Sequence, residues 1–183
     1  MRPILLLAAL ALLCAAPASA QVLNGDFTTS IASWTTSSTG PSVSWHPSNG
    51  NPGGAAYIFY NWTAGNASLM QTFNCGTSHD GGGNCAISLD YRYYLFGGTE
   101  IQVVVEIDNV VAYTVNLTAE NPQWITVPLA VACGSHDLKI TANTVTLGSF
   151  GSWSVFVDNV TAECTEVVSE ESQAWGAIKG IYR

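Results

Sequence analysis

The stretch Cys85–Phe96, CAISLDYRYYLF, decides how this chain must be read. Every second residue gives Ile87, Leu89, Tyr91, Tyr93 and Leu95 on one side, and Ser88, Asp90, Arg92, Tyr94 and Phe96 on the other. A period of two is that of an extended strand, whose successive side chains leave opposite faces. One face therefore reads as core and the other as a polar, aromatic surface.

The same period continues on both sides. EIQVVVEIDNVVAYTVNL (100–117) reads as two strands around Asp108-Asn109, a dipeptide that tolerates the conformation of a tight hairpin turn. WITVPLAV, CGSHD and LKITANTV (124–145) read as a second hairpin, with Pro128 marking an edge or a bulge. AAYIFY, ASLMQTF and SWSVFVDNVTAE are further strands. With the opening residues counted, eight or nine short strands are expected, and no segment before residue 165 carries a helical stripe. The fold class is all-β: a two-sheet antiparallel β-sandwich, since two sheets packed face to face bury such strands.

The ends differ from this middle. Arg2, the apolar run Ile4–Ala16 and the small residues Ala18-Ser19-Ala20 have the form of a secretory signal peptide over 1–20, cleaved before Gln21. Leu13 is too bulky for a lipoprotein signal ending at Cys14. Residues 21–165 form the expected sandwich domain, 166–174 an acidic linker, and 175–183 an apolar, basic tail. The chain has 5 basic and 13 acidic residues, a net charge of −8. That balance leaves no basic patch for nucleic acid, and no segment has the length of a transmembrane helix.

Cys75, Cys85, Cys133 and Cys164 remain after the signal, and an even count in an exported chain reads as two disulfides with three pairings open. The favoured pairing is Cys75–Cys85, closing the loop GTSHDGGGN, with Cys133–Cys164; loop entropy gives roughly 2.5–3 and 3.5–4 kcal/mol respectively. The spacing fits no zinc motif.

NGDF at 24–27, Trp34, GNPGGAAYI at 50–58, CAISLDYRY at 85–93 and FVDNV at 156–160 occur in that order. Over Val22 to Cys164 this set resembles the galactose-binding-like jelly roll of the carbohydrate-binding modules appended to bacterial cellulases and xylanases. The resemblance implies that the first strand runs along the sandwich edge beside the last, with Phe27 plugging the core and Trp34 closing one end. It also implies a structural calcium held by an acid just after the Phe and by the Asp of the last strand. Asp158 matches the second position. Thr28 occupies the first, which leaves Asp26 and backbone carbonyls as substitutes. The ending AWGAIKGIYR resembles the WG-x-IK-x-x-YR termini of other secreted bacterial proteins and reads as a sorting or docking signal.

Sugar binding needs flat rings against the apolar faces of pyranoses, with polar groups at their hydroxyls. The candidates are Asp90, Arg92 and Tyr94 on the central strand, and Tyr60, Asn61 and Trp62 beyond AAYIFY; Trp45 and Trp124 are further rings. Tyr57, Tyr91, Tyr93 and Trp153 are expected in the core, and Arg92 has a carboxylate partner across strands as its structural reading. His46, His79 and His136 stand in no metal or catalytic spacing, and no nucleophile elbow is present. His136-Asp137 reads as part of a hairpin turn. The sites Asn61, Asn66, Asn116 and Asn159 match the glycosylation pattern, which matters only in a host that modifies it. The leading expectation is a secreted, non-catalytic carbohydrate-binding protein with a polysaccharide or glycan as partner. The alternative is a structural or adhesive surface protein, and a glycan-active enzyme is the third reading.

Overall fold

A computed structural model describes residues 21–60, 62–76 and 83–165. Asn61, residues 77–82 of the Cys75–Cys85 loop with His79 among them, the signal segment, the linker and the tail lie outside the described residues.

Ten strands follow one another: β1 (Thr35–Ser38), β2 (Ser42–Gly50), β3 (Gly53–Phe59), β4 (Asn66–Asn74), β5 (Asn84–Phe96), β6 (Glu100–Ile107), β7 (Val110–Leu117), β8 (Asn121–Ala132), β9 (Ser135–Thr146) and β10 (Ser152–Thr165). They form two five-stranded sheets, ordered β1-β4-β9-β6-β7 and β2-β3-β10-β5-β8, antiparallel throughout. This is the two-sheet sandwich that the alternation implies.

On β5 the inward set is Ile87, Leu89, Tyr91 and Tyr93, all buried, while Ser88, Arg92 and Tyr94 are half-buried on the outer face. Facing them from the other sheet are Leu69, Ile101, Val103, Val105, Leu138 and Ile140. The Tyr91 hydroxyl reaches this interior and is satisfied there by the Tyr113 hydroxyl at 2.9 Å. A buried hydroxyl left without that partner would cost about 1–3 kcal/mol.

The Asp108-Asn109 hairpin forms as expected. Both residues take positive φ, 54° and 64°, the backbone that a two-residue hairpin turn requires. Pro128 lies on β8, an edge strand of its sheet, where its missing N–H costs no ladder bond.

Two expectations are corrected. Residues 124–145 do not make a hairpin: β8 pairs with β5, whereas β9 pairs with β4 and β6 in the facing sheet. Cys133-Gly134 carries the chain over the end of the sandwich, with Gly134 at φ 147° and its carbonyl accepting the Cys75 N–H. Alternation is the same in an arch between sheets as in a hairpin within one. His136 and Asp137 therefore open β9 rather than sit in a turn, and both are tied to the Asp108 carboxylate, His136 Nδ1 at 2.7 Å and the Asp137 N–H at 2.9 Å.

The opening residues are also not a strand. Apart from an isolated bridge between Gln21 and Asn74, residues 21–34 run as turns. The contacts read from them do form: Phe27 is fully buried, its ring lies 5.3 Å from that of Trp34, and Trp34 Nε1 donates to the Asn24 carbonyl. The first and last segments do meet, because the Val160 N–H donates to the Gly25 carbonyl at 2.9 Å.

The sandwich has two distinct poles. Gln21, Asn74, Cys75, Asn84, Cys85, Ala132, Ser135 and Thr165 gather at one, linked by the Cys75–Cys85 disulfide and by the register of β4 with β9 and β5 with β10. Phe59, Tyr60, Phe96 and Ser152 mark the other.

Candidate functional site

The outer face of the β2-β3-β10-β5-β8 sheet is ordered in rows, because register partners on neighbouring strands leave the same face. One row runs Ser44, Tyr57, Phe156, Arg92; the next runs Ser42, Phe59, Ser154, Tyr94. Tyr57 stacks on Phe59 at 4.6 Å and on Phe156 at 4.7 Å, and Tyr94 meets Phe156 edge-on at 6.0 Å. Tyr57 is therefore on the outer aromatic face and not in the core as expected. The core on β3 is made by Ala56 and Ile58, so the strand is apolar on both sides. Partial burial raises the Tyr57 pKa, partly offset by a hydrogen bond with Ser154. Tyr91, Tyr93 and Trp153 are core residues as read.

Arg92 makes no carboxylate pair among the interactions described. Its guanidinium carbon lies 4.9 Å from the Trp124 ring centre, 5.2 Å from Phe156 and 5.8 Å from Tyr94, and Nη2 donates to the Asn49 carbonyl at 3.0 Å. A cation ringed by π faces is attracted to their negative centres. Arg92 thus holds the platform together and brings Trp124 onto it.

Toward the aromatic pole the face opens into a cleft of about 270 Å³ lined by Tyr57, Phe59, Tyr60, Tyr94, Phe96 and Glu120, among others. Trp62 stands beside Tyr60 with ring centres 6.2 Å apart. Trp62 is 87% exposed, Phe96 67% and Phe150 87%; these are large apolar rings left in water at one end. Phe96 ends β5, and the Phe150 backbone packs on Gly97, whose Cβ would lie 2.8 Å from the Phe150 carbonyl oxygen. Of the candidates read from the sequence, Tyr60, Trp62 and Tyr94 come together here, with Arg92 beneath the adjoining platform. Asn61 lies outside the described residues. Phe96 and Phe150 were missed as site residues, although a Gly-Gly turn directly after Phe96 was visible.

Asp90 belongs to a different cluster. It is buried, accepts Thr126 Oγ1 at 2.6 Å, and takes the side-chain amides of Asn51 at 3.2 Å and Asn159 at 3.0 Å. Its register partner Asp158 is fully buried and accepts the backbone N–H groups of Asn51 and Asn159. Burial raises the Asp158 pKa, the two N–H bonds work against this, and the charges of Asp90 and Asp26 add to it.

Two backbone carbonyls beside Asp26 accept hydrogen bonds. The Phe27 carbonyl accepts Trp45 Nε1 at 2.7 Å and the Gly25 carbonyl accepts Val160 N–H. Asp26 faces its own Thr28. Among the described residues no group of three or more His, Cys, Asp or Glu is gathered to hold a metal ion.

The Cys75–Cys85 disulfide is present as read. The Cys133 and Cys164 Sγ atoms lie 2.8 Å apart. Among the described residues no helix is long and apolar enough to cross a membrane.

No family model matches the chain, and no curated protein does. Solved structures do match in fold. The module TmCBM61, solved in complex with β-1,4-galactotriose, superposes with a TM-score of 0.51 at 15% identity over 79% of this chain and 97% of that one. The two share the two-sheet antiparallel β-sandwich fold. The second family 16 carbohydrate-binding module gives a TM-score of 0.51 at 13% identity, covering 76% of this chain and 96% of its own. The same sandwich is found in the enzymatically active domain of bacteriophage CBA120 tailspike protein 4, at 17% identity over 79% of this chain but only 21% of that one (TM-score 0.51).

Proposed function

We propose that this is a secreted, non-catalytic carbohydrate-binding protein that holds a neutral glycan against the rings at its aromatic pole. The observation that carries this reading is the cleft bordered by Tyr60, Tyr94 and Phe96 beside the exposed Trp62. Exposed rings on a fixed platform lose little freedom when a pyranose lies on them, and Glu120 adds a hydrogen-bond acceptor at the rim. Export is supported by the residue pattern of 1–20 and by the disulfide. The reading is tested by calorimetric titration of the mature chain with β-1,4-galactotriose, xylohexaose and mannohexaose, beside a glycan array. Binding that Trp62→Ala weakens supports it; no binding to any glycan overturns it.

An adhesive role for the same domain rests on the acidic spacer and the apolar, basic ending of the sequence, with the tail docking to a surface or sorting partner. Deleting residues 166–183 separates the two: loss of surface retention with unchanged glycan binding assigns attachment to the tail.

A further inference from the structure

A sandwich of two sheets has two flanks, where its edge strands bring the core close to water. β1 lies against β2, which places β7 and β8 together on the opposite side. The β1/β2 flank is closed by the opening segment. Gln71 on β4 bonds to the backbone of Leu23 and Ser33, Trp45 on β2 donates to the Phe27 carbonyl, and Val160 on β10 donates to that of Gly25. The β7/β8 flank has no such cover among the described residues. Tyr113 and Val115 on β7, with Ile125, Leu129 and Val131 on β8, pack against the core there and remain only half-buried.

The strand edges differ in the same way. An edge strand offers its unpaired N–H and C=O groups to any other chain, and proteins blunt it with short length, proline, charge or a bulge. β1 has four residues. β2 contains Pro47 and shifts register between His46 and Gly50. β8 contains Pro122 and Pro128. β7 has eight residues, no proline and no charge; its register shifts once, at Ala112, and residues 113–117 run unbroken against β6. Val110 and Val111, 69% and 54% exposed, lengthen this apolar edge.

Charge decides the occupant. The chain carries a net −8, so its copies repel one another. Between residues 109 and 134, which hold both flank strands, Glu120 is the only charged residue, and it lies in the β7–β8 connection at the aromatic pole. The flank is therefore a surface where a second copy can approach without meeting like charge. A strand edge is also complementary to itself. Run antiparallel about a twofold axis, its N–H groups meet its own C=O groups.

We infer that β7 is a homodimer edge, pairing antiparallel with β7 of a second copy so that the two β1-β4-β9-β6-β7 sheets join into one. The joined flanks then cover the core side chains that β7 and β8 leave half-exposed. An eight-residue strand is about 27 Å long and two stacked sheets with their side chains roughly 20 Å thick, a footprint of about 500 Å² per copy. That is toward the small end of specific interfaces, so dimerisation is reversible and expected at about micromolar concentrations. β7 starts beside Asp137 at the cystine pole and runs to the aromatic pole, so antiparallel pairing points the two aromatic poles in opposite directions. Pairing does not depend on whether those poles bind glycan.

The test is sedimentation velocity of the mature chain, tail included, across a concentration series, with amide hydrogen exchange at both ends of the series. The expected result is a monomer–dimer equilibrium in which amides of residues 110–117 gain protection on dimerisation while those of β1 and β2 do not change. Val111→Glu with Thr114→Glu, both at exposed positions, sets like charges against each other on the joined edges and should leave a folded monomer. Val145→Glu, exposed on β9 away from the edge, should leave the dimer intact. A wild type that stays monomeric throughout overturns the proposal, as does a dimer that survives the paired Glu changes or that protects the aromatic pole instead of β7. Protection of residues 110–117 that is independent of concentration and lost on deleting residues 166–183 would put the chain's own ending on this edge and overturn it too. The wild-type exchange series decides by itself should the Glu variant fail to fold.

Discussion

Asp158 sits directly across from Asp90 in the pairing of β10 with β5, and Asn159 bridges them, its backbone N–H on one carboxylate and its side-chain amide on the other. Burial and the neighbouring charges raise the Asp158 pKa. The folded state therefore holds the Asp158 proton more tightly than the unfolded chain does. Stability from this group is greatest below the ordinary carboxylate value and declines as pH rises through the raised one. Asp108 acts in the opposite sense: hydrogen bonds from the Asp137 backbone and from His136 lower its pKa, so its contribution is present above the ordinary value and is lost as pH falls. Asp158→Asn isolates the first effect. Its stability relative to wild type should increase as pH rises from below the ordinary carboxylate value through the raised one, read from denaturant midpoints. A pH-independent difference would exclude titration of Asp158 as the cause.

Gly25 lies so close to β10 that an added Cβ would fall 2.0 Å from the Val160 carbonyl oxygen. Gly25→Ala must push the opening segment off the last strand. It should cost about 2–4 kcal/mol, in the range of overpacking and strain. Phe27→Ala, which empties a fully buried position, should cost about 3–5 kcal/mol. Urea unfolding of the two variants checks both; a loss below about 0.5 kcal/mol in either would show that the opening residues are not structural.

Trp62 contributes almost nothing to the fold, being exposed at positive φ. Trp62→Ala should leave the unfolding midpoint unchanged and weaken glycan binding by about tenfold, equivalent to about 1.4 kcal/mol. Unchanged affinity in a folded variant would remove Trp62 from the site.

Cys133 and Cys164 are near enough to join, and an exported chain would meet an oxidising compartment. Intact-mass and peptide analysis of protein recovered from the medium should show Cys133–Cys164 alongside Cys75–Cys85. Recovery of two free thiols in native material would leave Cys75–Cys85 as the sole bridge. Where the second bond forms, its removal should lower stability by roughly 2–4 kcal/mol.

Chelation should leave the melting temperature unchanged, because the Phe27 and Gly25 carbonyls are bonded to Trp45 and Val160 rather than turned toward an ion. A rise of several degrees on adding calcium would mean that these bonds exchange for metal ligands.

The fold was legible wherever the two faces of a strand differ. On β5, alternate positions separate Leu89 and Tyr91 from Ser88 and Arg92, and burial follows that division. Asp108-Asn109 was legible because only a few residue pairs tolerate its backbone. On β3 the pattern is ambiguous: Tyr57 and Phe59 alternate with Ala56 and Ile58, both sets apolar, and the larger pair faces outward. The arch at Cys133-Gly134 was hidden for another reason, since local alternation does not say which sheet a strand will join. The ring of aromatics around Arg92 depends on the register of β5 with β10 and on the position of β8, which no single segment encodes.

Gln21 and Thr165, where the sandwich is entered and left, both lie at the cystine pole, with Gln21 bridged to Asn74 and Thr165 opposite Asn84. Phe96 and Tyr60 lie at the far pole. Whatever is joined to the domain on either side, a tether or a neighbouring module, departs from the side away from the aromatic rings. Anchored there, the domain would stand like a lamp on its post, with the ring-bearing tip facing away from the support and clear of it.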